Sequence, residues 1–280
     1  MSRRGLILDL DNTLYNWGDA FLPSLRAMTH KLSSEFGVSE EDVLADFRNV
    51  YRDHGSVEYP AALGELELWK RLGITGEEKA RFETLVGKVF SITYRKRLHL
   101  FPNVEEVLEW AREEGIVVVG LSDAWERWVC LRLRALGIEK YFDGLYTWHR
   151  EPWFEGRRRH RSSIRRRFQL STSELKPNRE VVERVLGDFG LEKSTTYMVG
   201  DSLAKDIRAA QAAGVVDVWA RYGTHLSERN LKTLREITPW SKAKKDAEDQ
   251  AVEHITPSFT IDDFGQLTHL IGSERLTLFD

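Results

Sequence analysis

The stretch that decides the fold is residues 5–13, Gly-Leu-Ile-Leu-Asp-Leu-Asp-Asn-Thr, where an apolar run passes directly into two carboxylates. Short apolar runs without polar alternation are typical of strands buried on both faces of a parallel sheet. Asp9 and Asp11 would then leave the carboxyl end of a strand, which is where open α/β sheets carry their sites. Taken alone, the pattern also fits a turn or a helix cap built from Asp and Asn.

Further apolar runs recur along the chain, with helical patterns between most of them. These runs cover residues 116–121, 142–148, 196–199, 215–220 and 257–261. Strands that alternate with helices indicate a parallel sheet with crossover helices on both faces. The sequence therefore predicts an α/β fold with a doubly wound, mainly parallel, Rossmann-like sheet.

One long stretch breaks the alternation, because residues 17–95 contain no strand-like run. Four segments within it have helical patterns: 19–36, 40–53, 59–72 and 77–96. We therefore predict an all-helical second domain over residues 17–95, inserted after the first strand. The catalytic core would comprise residues 1–16, 96–221 and 255–280, with an arginine-rich insertion at 150–170 and a charged extension at 222–254.

Composition narrows the class of protein. Forty-one Lys and Arg against forty-four Asp and Glu give a net charge of −3, so the chain as a whole is no polycation for nucleic acid. The single cysteine, Cys130, excludes an internal disulfide, and no apolar run is long enough to span a bilayer. With no signal peptide recognisable, we expect a cytoplasmic protein without a membrane segment.

Three more polar motifs follow predicted strands or precede a helix. They are Ser122-Asp123, Lys176-Pro177, and Gly200-Asp201-Ser202 followed by Lys205-Asp206. Each one alone fits a helix cap or a solvated charge. Their order, and their common place at strand ends, favour a single functional site.

In these four motifs, LDLDNTL, LSDA, ELKPN and VGDSLAKD, the sequence resembles the haloacid dehalogenase-like hydrolases. The resemblance covers residues 5–16 and 96–221, and the helical insert lies where that family carries its first type of cap. The phrase DLDNTLY is similar to the phosphoglycolate phosphatase-like and nucleotidase branches. The resemblance thus implies an α/β core with a helical cap domain.

The resemblance also implies catalytic and phosphate-binding roles. Asp9 would be the nucleophile that attacks phosphorus, and Asp11 the general acid and then the general base. Ser122, Asp123 and Lys176 would bind the phosphate group. An acid at position 11 favours phosphate chemistry over dehalogenation, because a halide leaves without a proton.

A metal site is implied as well. Asp9, Asp201 and the backbone carbonyl of Asp11 would bind Mg²⁺, and Asp206 would support the site. Magnesium prefers hard oxygen ligands and would offset the repulsion between a carboxylate and an anionic substrate.

The expected function is a magnesium-dependent phosphatase that hydrolyses a small phosphorylated metabolite through an aspartyl-phosphate intermediate. Two alternatives stay open. One is a phosphotransferase or phosphomutase that uses the same residues. The other is a non-catalytic phospho-ligand or RNA-binding protein on the same fold.

The segment Arg157–Arg167 holds seven arginines in eleven residues and no acid, so the rest of the chain carries a charge of −10. It fits a solvated loop, a clamp for a polyanionic substrate, or a docking site for RNA or another acidic partner. The oligomeric state is not predicted.

Overall fold

The computed structural model describes residues 3–148, 162–238 and 254–277. Residues 150–161 of the predicted arginine-rich insertion and residues 239–253 of the predicted charged extension lie outside the described residues. The described chain divides into two compact units, each of which holds segments distant in sequence. Among the described residues, the first unit comprises 3–16, 99–148, 162–225 and 254–277, and the second comprises 17–98 and 226–238.

Within the described residues, the first unit is built on a seven-stranded sheet whose neighbouring strands all run parallel. The strands are β1 (Arg3–Leu8), β2 (Val117–Trp125), β3 (Gly144–Trp148), β4 (Arg166–Leu170), β5 (Leu191–Gly200), β6 (Val216–Ala220) and β7 (Phe259–Ile261). Their spatial order is β4-β3-β2-β1-β5-β6-β7. The chain winds outward from β1 in one direction and then in the other, which confirms the predicted doubly wound α/β fold.

Helices connect these strands or belong to the second unit. They are α1 (Trp17–Phe36), α2 (Glu40–His54), α3 (Leu68–Arg71), α4 (Gly76–Arg97), α5 (Val104–Glu113), α6 (Glu126–Ala135), α7 (Arg179–Phe189), α8 (Arg208–Ala213), α9 (Glu228–Ile237) and α10 (Gln266–Thr277). Across the described residues, no helix combines the length and the apolar character that crossing a bilayer requires.

Helix α7 shows how the sequence specifies these elements. The Asn178 side chain accepts hydrogen bonds from the backbone N–H groups of Glu180 and Val181, which begins the helix, and Gly190 ends it in the left-handed conformation. Val181, Val182, Val185, Leu186 and Phe189 are buried on one side of the helix. Burying each such side chain contributes roughly 1.5–3 kcal/mol. Helix α7 is one of the helices expected between the apolar runs.

The sheet core packs tightly enough to require a glycine. A Cβ atom at Gly144 of β3 would lie 2.2 Å from Cζ of Phe189, so only glycine leaves room for this ring. Phe189 belongs to a cluster with Ile7, Val119 and Met198 of the central strands. This packing holds helix α7 against the sheet. It thereby also restrains the loop that leads into α7 at Arg179.

Strand β4 departs from the sequence prediction, which assigned all of residues 150–170 to an insertion. Residues 166–170 instead pair with β3 as an edge strand of the sheet. Phe168 stacks on Tyr146 with ring centroids 4.4 Å apart, and Arg166 lies 4.0 Å over the Phe189 ring. Arg166, one of the arginines that suggested a solvated loop, therefore contributes packing, because a guanidinium can cover an aromatic face.

In the second unit, α1 packs along α4, and α2 packs against α9. The helix predicted over residues 59–72 is replaced by a 3₁₀ turn, Ala62–Glu65, followed by α3. The buried carboxylate of Asp46 causes this restart: it accepts the backbone N–H of Leu68 at 2.7 Å and so caps α3.

The predicted charged extension over residues 222–254 is not a single element. Residues 222–225 belong to the first unit, and residues 226–238 belong to the helical unit. Arg26 of α1 donates to Asn230 Oδ1 and to Thr233 Oγ1, each at 2.8 Å, and Asn230 in turn donates to Asp19 at 2.5 Å. Hydrogen bonds between polar side chains therefore hold α9 against α1. The high charge of this segment had instead suggested a solvated helix.

This docking predicts the effect of removing the central amide. Asn230→Ala removes the hydrogen-bond acceptor of Arg26 and a donor to Asp19. We therefore expect a loss of about 1–3 kcal/mol in the free energy of unfolding. Asn49→Ala on the exposed face of α2 is the matched control and should change stability by less than about 0.5 kcal/mol. Urea denaturation measures both. Equal midpoints for the two variants would contradict the assignment of α9 to this unit.

Candidate active site

The site begins where β1 ends. Asp9 directly follows β1, and its backbone N–H donates to the Val199 carbonyl at 2.9 Å, which keeps it in line with β5. The chain then turns sharply through Asn12, which adopts the left-handed conformation with φ 61°. Asparagine tolerates this conformation better than most residues do. The turn lets both carboxylates, Asp9 and Asp11, leave the end of the same strand.

Lys176 is the cation of the site. Its ammonium donates to Asp9 Oδ1 at 2.5 Å and to Asp206 Oδ1 at 2.7 Å, and the residue is only 8% exposed. Burial alone would lower the pKa of Lys176, but the charges of Asp206, Asp9 and Asp123 outweigh it and raise the pKa well above its usual value. Lys176 is therefore a permanent positive charge between two carboxylates.

Three carboxylates converge beside this lysine. Single oxygens of Asp9, Asp201 and Asp206 lie within 4.8 Å of one another. Burial, together with the charges of Asp9 and Asp206, raises the pKa of Asp201 well above its usual value. Burial and the Asp9 charge also raise the pKa of Asp206, to about 6, although Lys176 opposes them. The cluster holds more negative charge than one lysine offsets, and its hard oxygen donors fit a magnesium ion.

Thr13 joins two of these acids. Its hydroxyl donates to Asp9 Oδ2 at 2.9 Å and accepts the backbone N–H of Asp201 at 3.1 Å. Thr13 lies in the first sequence motif, but no role was predicted for it from the sequence. The sequence carries one signal for its contact with Asp9: the hydroxyl follows that acid by four residues, which a single tight turn can span.

The two side chains of the second motif, Ser122 and Asp123, have different partners. Ser122 is buried in the carboxyl-terminal half of β2, and its Oγ accepts the backbone N–H of Ala124 at 3.1 Å. The Asp123 carboxylate accepts the Lys176 backbone N–H at 3.0 Å and pairs with the Lys205 ammonium at 3.1 Å. The Asp123 carboxylate is thus engaged by Lys176 and Lys205, and it helps to position Lys176.

The Asp11 side chain is engaged by a residue that the sequence analysis missed. Arg132 of α6 donates from Nη1 to Asp11 Oδ1 at 2.8 Å. Burial raises the pKa of Asp11, with Asp9 adding to the effect, while the Arg132 charge and the Tyr15 hydroxyl oppose it. The available signal was helical spacing, since Arg132 falls on the same side of α6 as the apolar Val129 and Leu133.

Residues at the end of β6 and in the turn after it contact the backbone of the site. The Tyr222 hydroxyl donates to the Thr13 carbonyl at 2.6 Å, and Trp219 Nε1 donates to the Asp201 carbonyl at 2.8 Å. Gly223 lies so near that a Cβ atom there would be 1.9 Å from the Asn12 carbonyl oxygen. The sequence analysis placed Tyr222 and Gly223 in the charged extension, so this support was missed.

Comparison with protein families identifies the chain. The model described as haloacid dehalogenase-like hydrolase matches residues 4–214, and a related HAD-hydrolase-like model matches residues 175–267. The chain belongs to the haloacid dehalogenase-like hydrolase family. The family resemblance predicted from the four sequence motifs is confirmed.

Relatives of this HAD-like hydrolase include phosphatases. It is 30% identical to a phosphoglycolate phosphatase of Haemophilus influenzae, over 77% of this chain and 84% of the relative. It is 24% identical to a ribulose-1,5-bisphosphate 5-phosphatase of Halopiger xanaduensis, over 95% of this chain and 98% of the relative. Together with the family match, these relatives show that the chain is a HAD-like phosphomonoester hydrolase.

The fold is also found in solved structures of this family. The HAD-hydrolase YfnB of Bacillus subtilis, solved with bound magnesium, superposes with a TM-score of 0.54 at 14% identity. The match covers 97% of this chain and all of that one. At this identity the likeness supports the fold alone.

The close approach of Asp206 to the end of β5 predicts that Gly200 cannot be replaced in this HAD-like hydrolase. An alanine Cβ would lie 2.2 Å from the Asp206 carboxyl carbon, so Gly200→Ala must displace that carboxylate. We expect a loss of about 1–3 kcal/mol in the free energy of unfolding and impaired phosphatase activity.

The matched control for this substitution is Gly187→Ala. Gly187 lies inside α7 with no atom within 4 Å of an added Cβ, so the substitution should stabilise the helix by up to about 1 kcal/mol. Thermal unfolding and phosphate release measure both variants. A Gly200→Ala enzyme with wild-type stability and activity would contradict the described packing of Asp206.

Proposed function

We propose that the chain is a magnesium-dependent phosphatase that hydrolyses a small phosphomonoester through a phosphoryl group carried on Asp9. The observation that supports this most is the arrangement around Asp9, a buried carboxylate held by Lys176 and Thr13 beside Asp201 and Asp206. A carboxylate fixed from two sides is oriented for attack and loses little freedom when it reacts.

In the first step, an oxygen of Asp9 would form a bond to phosphorus while the bond between phosphorus and the leaving oxygen breaks. Asp11 would give its proton to that leaving oxygen. Its side chain is 21% exposed, so one part of it faces solvent although the Arg132 contact is buried. Ser122 and Lys176 would hold the phosphoryl oxygens, and Lys176 would also neutralise charge on the attacking carboxylate.

In the second step, water would attack phosphorus and lose a proton to Asp11, and Asp9 would be released. The same acid therefore serves both steps, first as donor and then as acceptor. Phosphoryl transfer depends mainly on positioning and electrostatics, so this small set of side chains suffices.

Asp9 and Asp201 would hold the magnesium ion together with the backbone carbonyl of Asp11. Asp206 contributes an oxygen to the same cluster and also carries Lys176. Bound magnesium would offset the excess negative charge of this cluster and of the anionic substrate. The raised pKa values of Asp201 and Asp206 support the assignment, because burial and the Asp9 charge disfavour the ionised carboxylates and a bound cation would offset both effects.

The proposed substrates are small anionic phosphomonoesters of the kind named for the relatives, such as phosphoglycolate and ribulose 1,5-bisphosphate. The cytoplasmic location is also proposed, on the basis of the single reduced cysteine, Cys130. A docking role for Arg157–Arg167 has less support, since Arg167 pairs with Glu126 at 3.0 Å and Arg166 packs on aromatic rings.

Phosphate release from a panel of phosphomonoesters tests the function. The panel would contain phosphoglycolate, glyceraldehyde 3-phosphate, ribulose 1,5-bisphosphate and p-nitrophenyl phosphate. We expect magnesium-dependent turnover that falls by at least about a thousandfold in Asp9→Asn, since an amide cannot replace the nucleophile. Asp53→Asn, on the exposed face of α2, removes a carboxylate elsewhere and should leave activity unchanged. Equal activity in Asp9→Asn and Asp53→Asn would contradict the proposal.

The pKa of Asp206 predicts how magnesium acts at different pH. Its folded value of about 6 lies above the usual unfolded value of about 3.9, so the protonated form favours folding. This contribution to stability is complete below about pH 4 and is lost as the pH rises through 6. We therefore expect magnesium chloride to raise Tm more at pH 7 than at pH 5, where it must displace a proton.

Differential scanning calorimetry at the two pH values measures this difference, with potassium chloride at equal ionic strength as the control. An equal rise in Tm at both pH values would contradict a magnesium site that includes Asp206. A rise produced equally by potassium chloride would show only screening.

A further inference from the structure

Arg132 occupies an unusual position in α6. The side of the helix that faces the core carries Val129, Cys130 and Leu133, and Arg132 lies among them with only 4% of its surface exposed. Burying a guanidinium is costly unless an anion and hydrogen bonds compensate for the lost water. The side chain therefore needs a specific partner at this place.

That partner is the proposed acid and base of the reaction. Arg132 Nη1 donates to Asp11 Oδ1 at 2.8 Å, and the Arg132 side chain is 5% exposed while that of Asp11 is 21% exposed. The guanidinium is thus almost fully buried at this contact, while the Asp11 side chain keeps some access to solvent. Because α6 packs on β2 and β3, the guanidinium is fixed to the same sheet that carries Asp9.

Stability alone does not account for this pair. Replacing a buried ion pair by apolar side chains of similar volume is often neutral or stabilising, so such a pair is weak evidence for a structural role. A guanidinium does, however, present its donors in a rigid fork, and it can fix the direction of a carboxyl group. Orientation of Asp11 is the property that the contact supplies.

We propose that Arg132 is a positioning residue for proton transfer, which holds the Asp11 carboxyl in the direction needed to reach the leaving oxygen. This inference rests on the proposed phosphatase function and adds a residue outside the four sequence motifs. Arg132 forms and breaks no bond. The proton passes from Asp11 to the leaving oxygen in the first step and from water to Asp11 in the second.

The inference predicts a dependence on the leaving group. An alkoxide is a poor leaving group and needs the proton of Asp11, whereas p-nitrophenolate leaves without one. Loss of orientation at Asp11 should therefore slow alkyl phosphates much more than p-nitrophenyl phosphate. General damage to the fold or to the metal site would slow both substrates alike.

The experiment compares kcat and KM of the full chain and its variants on two substrates. These are p-nitrophenyl phosphate and the alkyl phosphate of the panel that the wild type hydrolyses fastest. For Arg132→Met we expect kcat on the alkyl phosphate to fall at least about tenfold more than on p-nitrophenyl phosphate, with little change in KM. Arg132→Lys keeps the charge and should recover part of the difference.

The matched control is Arg134→Met, two residues along the same helix. Arg134 is largely exposed and lies 3.5 Å from Glu139, so its loss should leave both rates near the wild-type values. Tm of each variant is measured alongside. If Arg132→Met does not fold, Arg132→Lys carries the test, with a smaller but still selective loss on the alkyl phosphate.

A second comparison ties the effect to Asp11. In an Asp11→Asn background, Arg132→Lys should leave the ratio of the two rates unchanged, because no proton donor is left to orient. Equal losses on both substrates in the Arg132 variants would overturn the inference, and so would a changed ratio in the Asp11→Asn background. A wild type that hydrolyses no member of the panel would instead overturn the proposed function, and this inference with it.

Discussion

The contact of Lys176 with Asp9 and Asp206 is the interaction on which the rest of the site depends. One buried ammonium holds two carboxylates that would otherwise repel each other: Asp9, directly after β1, and Asp206, in the helical turn that follows β5. The lysine is itself positioned from behind, since its backbone N–H donates to Asp123. Removing Lys176 would leave two buried carboxylates without this cation, which is the costliest outcome for a buried ion pair.

The sheet makes this arrangement possible because parallel strands end at the same edge. Asp9 and Asp201 directly follow β1 and β5, and Ser122 lies in the carboxyl-terminal half of β2, the strand on the other side of β1, so residues far apart in sequence reach the same edge of the sheet. Side chains behind the edge then restrict each group: Thr13 links Asp9 to Asp201, and Arg132 engages Asp11. The geometry is fixed before a substrate arrives, which is what electrostatic catalysis of phosphoryl transfer requires.

The sequence predicted the parts of the molecule whose signals are local. Apolar runs followed by polar motifs located the site-bearing strands β1, β2 and β5, and helical patterns located α1, α2 and α4 to within two residues of their observed ends. The missed features depend on tertiary partners. Arginine density concealed β4, in which Arg166 packs on aromatic rings, and the sequence does not indicate that Asp11 is the partner of Arg132. Similarly, the charged sequence around Asn230 did not indicate that its side chain would be buried in a hydrogen bond with Arg26.

The central claim is that Asp9 carries the phosphoryl group during turnover. The most direct measurement is mass spectrometry of peptides from enzyme quenched in acid during steady-state hydrolysis. The account predicts that the peptide containing Asp9 gains the mass of one phosphoryl group, and that this species is absent from Asp9→Asn. Steady turnover with no phosphorylated Asp9 peptide under conditions that preserve acyl phosphates, or with the phosphoryl group on another residue, would contradict it.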